Sequence, residues 1–140
     1  MDFGSINFVA VLVAFLINFV IGFIWFGPKT FFPIWWKAIG KTGDPGASAN
    51  MKVVFSSTAI AGLVSATGLA LVFELLARTK GEVNLITGLS TGLIVGIFLM
   101  AAPALSHRLF AGNGFKVWLL EIGSDVLGFV GMGIALSFFY

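Results

Sequence analysis

The sequence predicts an all-α integral membrane protein: a four-helix bundle with one interfacial amphipathic helix between spans one and two. Three observations predict it. Of 140 residues, 59% fall in the set Ala, Val, Ile, Leu, Met, Phe, Trp, Tyr and Cys, and only 10% are charged, against roughly 45–50% apolar and 25% charged in an average soluble domain. The mean hydropathy of +1.06, with 16 Phe and 4 Trp, exceeds what one small water-soluble core can hide. The apolar residues also gather into four runs of about 20, the length needed to cross the hydrocarbon of a bilayer.

These runs lie at about 6–26, 53–76, 85–105 and 117–139, and together they use most of a single domain covering 1–140. The first is expected to stay in the protein, because Met1-Asp2-Phe3 is no basic leader and the run is too long for a signal-peptide core. Between spans one and two, at about 29–40, Phe32, Trp35, Trp36 and Ile39 fall at i, i+3, i+4 and i+7, while Lys37 and Lys41 point the other way. That spacing predicts a helix lying in the membrane surface, or a gate or lid, with Trp25, Trp35 and Trp36 as interface anchors. Gly43-Asp44-Pro45-Gly46-Ala47-Ser48 then supplies turn and loop chemistry.

Orientation follows from the basic residues of the connections. Lys29, Lys37, Lys41, Lys52, Arg108 and Lys116 lie in the first and third, against Arg78 and Lys80 in the second. Six against two places connections one and three in the cytoplasm and both termini outside. A short echo joins the two hairpins: Gly22 to Pro28 closes span one and Gly96 to Pro103 closes span three, each before a basic connection. Both hairpins start on the same side, so this would be a parallel repeat.

Composition excludes several chemistries. There is no cysteine and one histidine, and the net charge is only +2, so disulfides, metal clusters, most catalytic triads and nucleic-acid binding are not expected. No enzyme, catalytic residue, metal or cofactor is predicted. The chemistry-bearing residues are those set inside spans, where an ionisable group is costly. Glu121 and Asp125 are i, i+4 on one face of span four, and two carboxylates so close in low dielectric resist ionising together. Counted from the cytoplasmic ends at 1.5 Å per residue, Asn18, Gly62, Gly96 and Asp125 share a depth of roughly 12–14 Å. Glu121 lies a turn nearer the cytoplasm, within reach of Arg108 or His107 as ion-pair partner. The three polar residues Glu121, Asp125 and Asn18 are candidates for proton or cation exchange, or they bind helices together as polar glue.

Two further patterns concern packing. Glu74 and Arg78 form an i, i+4 pair at the outer end of span two. Gly88, Gly92 and Gly96 line one ridge of span three, with Gly62, Ala66 and Ala70 of span two as a matching groove; the ridge serves either the monomer or a homo-oligomer. The functional expectation is a small proton- or cation-linked transporter or channel subunit whose partners are the lipid bilayer and a solute or ion of unknown identity. The alternative is an accessory or scaffolding membrane protein acting through helix contacts.

Gly22 with Trp25-Phe26-Gly27-Pro28, then Trp36-Lys37 and Gly40, and finally Leu120-Glu121-Ile122-Gly123 with Met132-Gly133, resemble the DUF1761 family of small bacterial membrane proteins of unknown function. The resemblance implies the four-span fold and a bacterial inner-membrane location. It places Glu121 at the family's acid and Asp125 where many members are expected to carry His, a departure that separates this chain from any relay the others share.

Overall fold

A computed structural model describes residues 6–47 and 50–140, and Met1, Asp2, Phe3 and Ser48 lie outside these, as does the Lys80 side chain. The chain is helical throughout, with no strand among the described residues. In order come α1 (Phe8–Trp25), α2 (Phe32–Ala38), a single 3-10 turn (Pro45–Ala47) and α3 (Met51–Lys80). Then follow α4 (Leu85–Ile94), a π-helical segment (Val95–Ala101), α5 (Ala102–Phe110) and α6 (Gly114–Leu136). Four helical stretches, Phe8–Trp25, Met51–Thr79, Leu85–Phe110 and Gly114–Leu136, are long and apolar enough to cross a membrane.

Asparagine side chains cap three of these helices. Asn7 accepts from the Val9 and Ala10 amides at 3.0 and 3.1 Å, Asn50 from those of Lys52 and Val53, and Asn84 from that of Thr87 at 2.9 Å. Each cap satisfies donors that a helix start leaves without partners. Gly81, at φ +82°, ends α3 in a backbone conformation open to glycine.

Four boundaries differ from the sequence expectation, the second run reaching past residue 76 to the end of α3 at Lys80. The surface helix spans only Phe32–Ala38, because Thr30 Oγ1 donates to the Ile24 and Trp25 carbonyls at 2.6 and 2.7 Å and holds the preceding residues in turns. The third stretch continues past residue 105 to Phe110, through the π-helical segment that precedes Pro103. The fourth stops at Leu136 rather than 139, where Phe138 and Phe139 fold back in a closing turn.

α6 is the hub. It packs against α1 on one side and against α4, the π-helical segment and α5 on the other, whereas α3 packs chiefly on α1. Small residues make both approaches possible. A Cβ placed on Gly92 would stand 2.5 Å from the Phe129 carbonyl oxygen and 2.8 Å from Val130 Cα, and one on Gly96 3.0 Å from Val126 Cα. The ridge of Gly88, Gly92 and Gly96 is therefore occupied by α6 of the same chain. The groove expected to receive it, on α3, instead receives α1: Ala66 and Ala70 are buried with Ala10 and Ala14. The reason is that α6 has glycines of its own, and Gly133 meets Gly88 directly, backbone against backbone.

The core is uneven along the bundle axis. Ala10, Ala14, Leu69, Phe73, Met132 and Leu136 are buried together at the end where α1 begins and α3 and α6 finish, and the Tyr140 ring packs on Phe73 with centroids 6.2 Å apart. At the opposite end most of α3 from Met51 to Val64 is exposed. Large apolar side chains face outward along the helices, among them Ile86 at 76% and Phe8 at 73% exposure, a surface compatible with lipid contact.

Candidate functional site

Glu121 and Asp125 sit one turn apart on α6, and the structure gives them different surroundings. Glu121 is clamped from two sides. Its Oε1 accepts from Trp35 Nε1 of α2 at 2.9 Å, and its Oε2 pairs with Arg108 Nε of α5 at 2.5 Å. The partner is Arg108 and not His107, which is exposed on α5. One carboxylate thus ties the surface helix and the end of the third stretch to the hub, with both oxygens engaged.

Asp125 makes no hydrogen bond or ion pair among the described residues. It borders two cavities instead. The smaller, of about 320 Å³, lies between α2, α5 and α6, next to Arg108, Trp118 and Glu121. The larger, of about 660 Å³, runs between α1 and α3, with Asp125 and Ser124 on its α6 wall. Phe26, at the end of α1, borders both as well. A carboxylate 11 residues into a helix lies about 16 Å from the helix start, near the middle of a 23-residue span.

Asn18 reaches this place from α1. Its side chain lies beside Gly62 of α3, where a Cβ would be 3.5 Å from Nδ2, and it presses directly on Gly128 of α6. Asn18, Gly62 and Asp125 therefore share the larger cavity. Gly96, expected at the same depth, faces away toward Val126.

The tryptophans divide likewise. Trp25, expected as an interface anchor, turns inward: its Nε1 donates to the Leu120 carbonyl at 2.8 Å and its ring lies over Gly123, where a Cβ would stand 2.6 Å from Cζ2. Trp35 holds Glu121. Trp36 alone keeps an outward post, stacked on Phe32 at 5.6 Å, under Lys41 Nζ at 5.0 Å, and donating to the Gly43 carbonyl. Near the C-terminal end of α3 Arg78 Nε bonds Glu74 Oε1 at 2.8 Å, the i, i+4 pair read from the sequence.

Sequence reasoning missed Phe26, Ser124 and Trp118. Trp118 Nε1 donates to the Ala101 carbonyl at 2.9 Å, where the helical ladder changes register ahead of Pro103; π-helical segments frequently mark functional sites. It also missed the glycines of α6 as the counter-surface for both neighbours, although Gly123, Gly128, Gly131 and Gly133 crowd eleven residues of one helix.

Fold and site together define a small helical protein with four membrane-span-like helices, closed at one end and hollow at the other, with a free carboxylate where its two cavities meet. Within that class the chain belongs to the family described as "Protein of unknown function (DUF1761)", whose profile matches residues 9–137 and so takes in the middle helices as well as both ends. No curated protein and no solved structure matches it.

Proposed function

We propose that this protein is a small proton- or cation-linked transporter or channel subunit of the bacterial inner membrane, in which Asp125 is the exchanging group. The observation that carries this reading is the contrast between the two acids. Glu121 is engaged at both oxygens, which makes it the structural clamp, whereas Asp125 is unpartnered and borders both cavities. A carboxylate set inside a span with no hydrogen bond or ion pair of its own and open to two cavities is free to exchange its counter-charge, and such groups mark ion and substrate paths.

The positive-inside count gives the path a direction. Connections one and three, at the hollow end, carry six of the eight basic residues, so the cavities open to the cytoplasm and the packed end seals the outside. A reporter fused after Tyr140 is expected in the periplasm and one near Asp44 in the cytoplasm; the reverse pair would invert the path. The scaffolding alternative has lost its best surface, because the glycine ridge is filled within the chain.

The test is flux in proteoliposomes. The parent protein should carry a proton or cation current, and Asp125→Asn, which keeps size and hydrogen-bonding capacity, should abolish it while the protein still elutes as a folded species. An undiminished current in Asp125→Asn, or none in the parent, overturns the reading.

A further inference from the structure

We infer that the larger cavity binds a bulky, weakly hydrated organic cation. This rests on the transport reading and adds to it the chemical class of the solute. At about 660 Å³ the cavity has the volume of sites that take whole small molecules, roughly 300–1,000 Å³, and is far larger than a path for single ions requires.

Its wall settles the charge. Phe15, Phe19, Phe23, Phe26, Phe32 and Phe55 border it, Asp125 stands at the deep side and Asp44 at the mouth, and no Lys, Arg or His among the described residues belongs to the lining. Arg108, the nearest cation to the acids, borders the other cavity and is bound to Glu121. An anion would meet two carboxylates with no basic group to receive it. A neutral apolar molecule would draw nothing from the carboxylates, and an ionised Asp125 beside it would stay without a counter-charge.

A small metal ion fits no better. Calcium takes six to eight oxygen ligands and magnesium a near-ideal octahedron, and no group of three or more His, Cys, Asp or Glu among the described residues is placed to hold a metal. What remains is a cation whose charge is spread beneath hydrocarbon. Ring faces attract it through their quadrupoles, Asp125 neutralises it, and the apolar walls replace water that it sheds at little cost.

Gly22 supplies the variant for a test. It borders the cavity, and a Cβ there would meet nothing within 4 Å, so Gly22→Leu pushes an added side chain into the space a bulky solute needs, with no clash at its Cβ. The probes are tetraphenylphosphonium and tetraphenylborate, equal in shape and opposite in charge, with triphenylphosphine oxide as a neutral analogue, measured by equilibrium dialysis against the full chain in detergent. Tetraphenylphosphonium should bind saturably and the other two should not. Binding should weaken about tenfold or more in Asp125→Asn, the loss expected when a charge-assisted contact is removed, and should vanish in Gly22→Leu.

Equal binding of all three probes would identify an apolar groove for lipid chains and overturn the inference. So would tetraphenylphosphonium binding that survives in Gly22→Leu, which stays informative even should Asp125→Asn not fold. Asp125-dependent proton current without tetraphenylphosphonium binding refutes the organic-cation assignment and leaves the transport reading standing. Saturable, Asp125-dependent binding without any flux does the opposite.

Discussion

Gly92→Ala measures whether the glycine ridge is spent inside the chain. The added methyl would stand 2.5 Å from the Phe129 carbonyl oxygen, 2.8 Å from Val130 Cα and 3.0 Å from the Phe129 carbonyl carbon, where ordinary contact begins at 3.4 Å. All three atoms are backbone of α6, so no side chain can swing aside, and the helices must part by roughly 1 Å. Overpacking of this kind costs about 1–3 kcal/mol, and the rigid neighbours put Gly92 toward the upper part. Alanine recovers about 0.5–1 kcal/mol of glycine's conformational cost, leaving a net loss of about 1–2 kcal/mol. Gly68 of α3 is the internal control, since a Cβ there meets nothing within 4 Å; Gly68→Ala should stabilise by about 0.5–1 kcal/mol. Unfolding of each variant in mixed micelles, with size-exclusion to follow association, gives both signs. Equal stabilities for Gly92→Ala and Gly68→Ala would refute the packing argument. A Gly92→Ile protein that remains a folded monomer while an oligomer dissociates would place the ridge between chains.

Arg108→Ala should destabilise by about 1–2 kcal/mol, below the range for fully buried pairs because the Arg108 side chain is 43% exposed; Arg108→Ala with Glu121→Leu should recover most of it, and an additive loss in the double variant would count against the pairing. Trp25→Ala removes the bond to Leu120 and the ring over Gly123, for a loss of about 3 kcal/mol in the same unfolding assay; a loss within error of zero would return Trp25 to the lipid interface. Burial raises the Tyr140 phenol above its ordinary value of 10.0, so its protonated form is favoured in the fold. Its contribution should be fully present below about pH 10 and fade as pH rises through the folded value, and an alkaline melting series in which Tyr140→Phe loses as much as the parent would refute this.

Hydropathy made the four long helices legible because their outward-facing and core residues are both apolar, and the length of a run is then the signal. The same uniformity hid which faces pair. Gly88, Gly92 and Gly96 announced a ridge, but nothing in a run of apolar residues says whether α3 or α6 fills it; the crowding of glycines on α6 was the available clue. Asp125 and Asn18 could be brought together by counting depth, since rise per residue is fixed. The division of labour between Glu121 and Asp125 could not, because it depends on where Trp35 and Arg108 arrive after a turn and a π-helical segment. Trp25 misled for a related reason: an aromatic ring at a span end serves an interface or a glycine notch equally well, and Gly123 lies 98 residues away along the chain.

The hollow end itself has a sequence cause, and it yields the last prediction. Axial separation between packed helices follows the side chains at the contact, over about 8–10 Å. Along α1, Ala10 and Ala14 meet Ala66 and Ala70, and that end closes. Beyond them the same helix presents Phe15 and Phe19, whose rings lie 5.8 Å apart, and Phe15 sits against Gly62, where a Cβ would be 3.4 Å from its ring. Gly62 admits that one ring; nearer its start α3 turns Met51, Val54, Phe55 and Thr58 to the gap instead, and the phenyls hold the helices apart. Phe15→Ala with Phe19→Ala should therefore let the free end of α3 move toward α1. The chain has no cysteine, so spin labels on Ile24→Cys and Val53→Cys, both exposed, report the separation without background. A distance shortened by several Å, with loss of tetraphenylphosphonium binding, is the expected result. An unchanged distance would mean that the connection through residues 26–50 sets the gap instead of the rings, and the account of the cleft as propped open by aromatic side chains would fail.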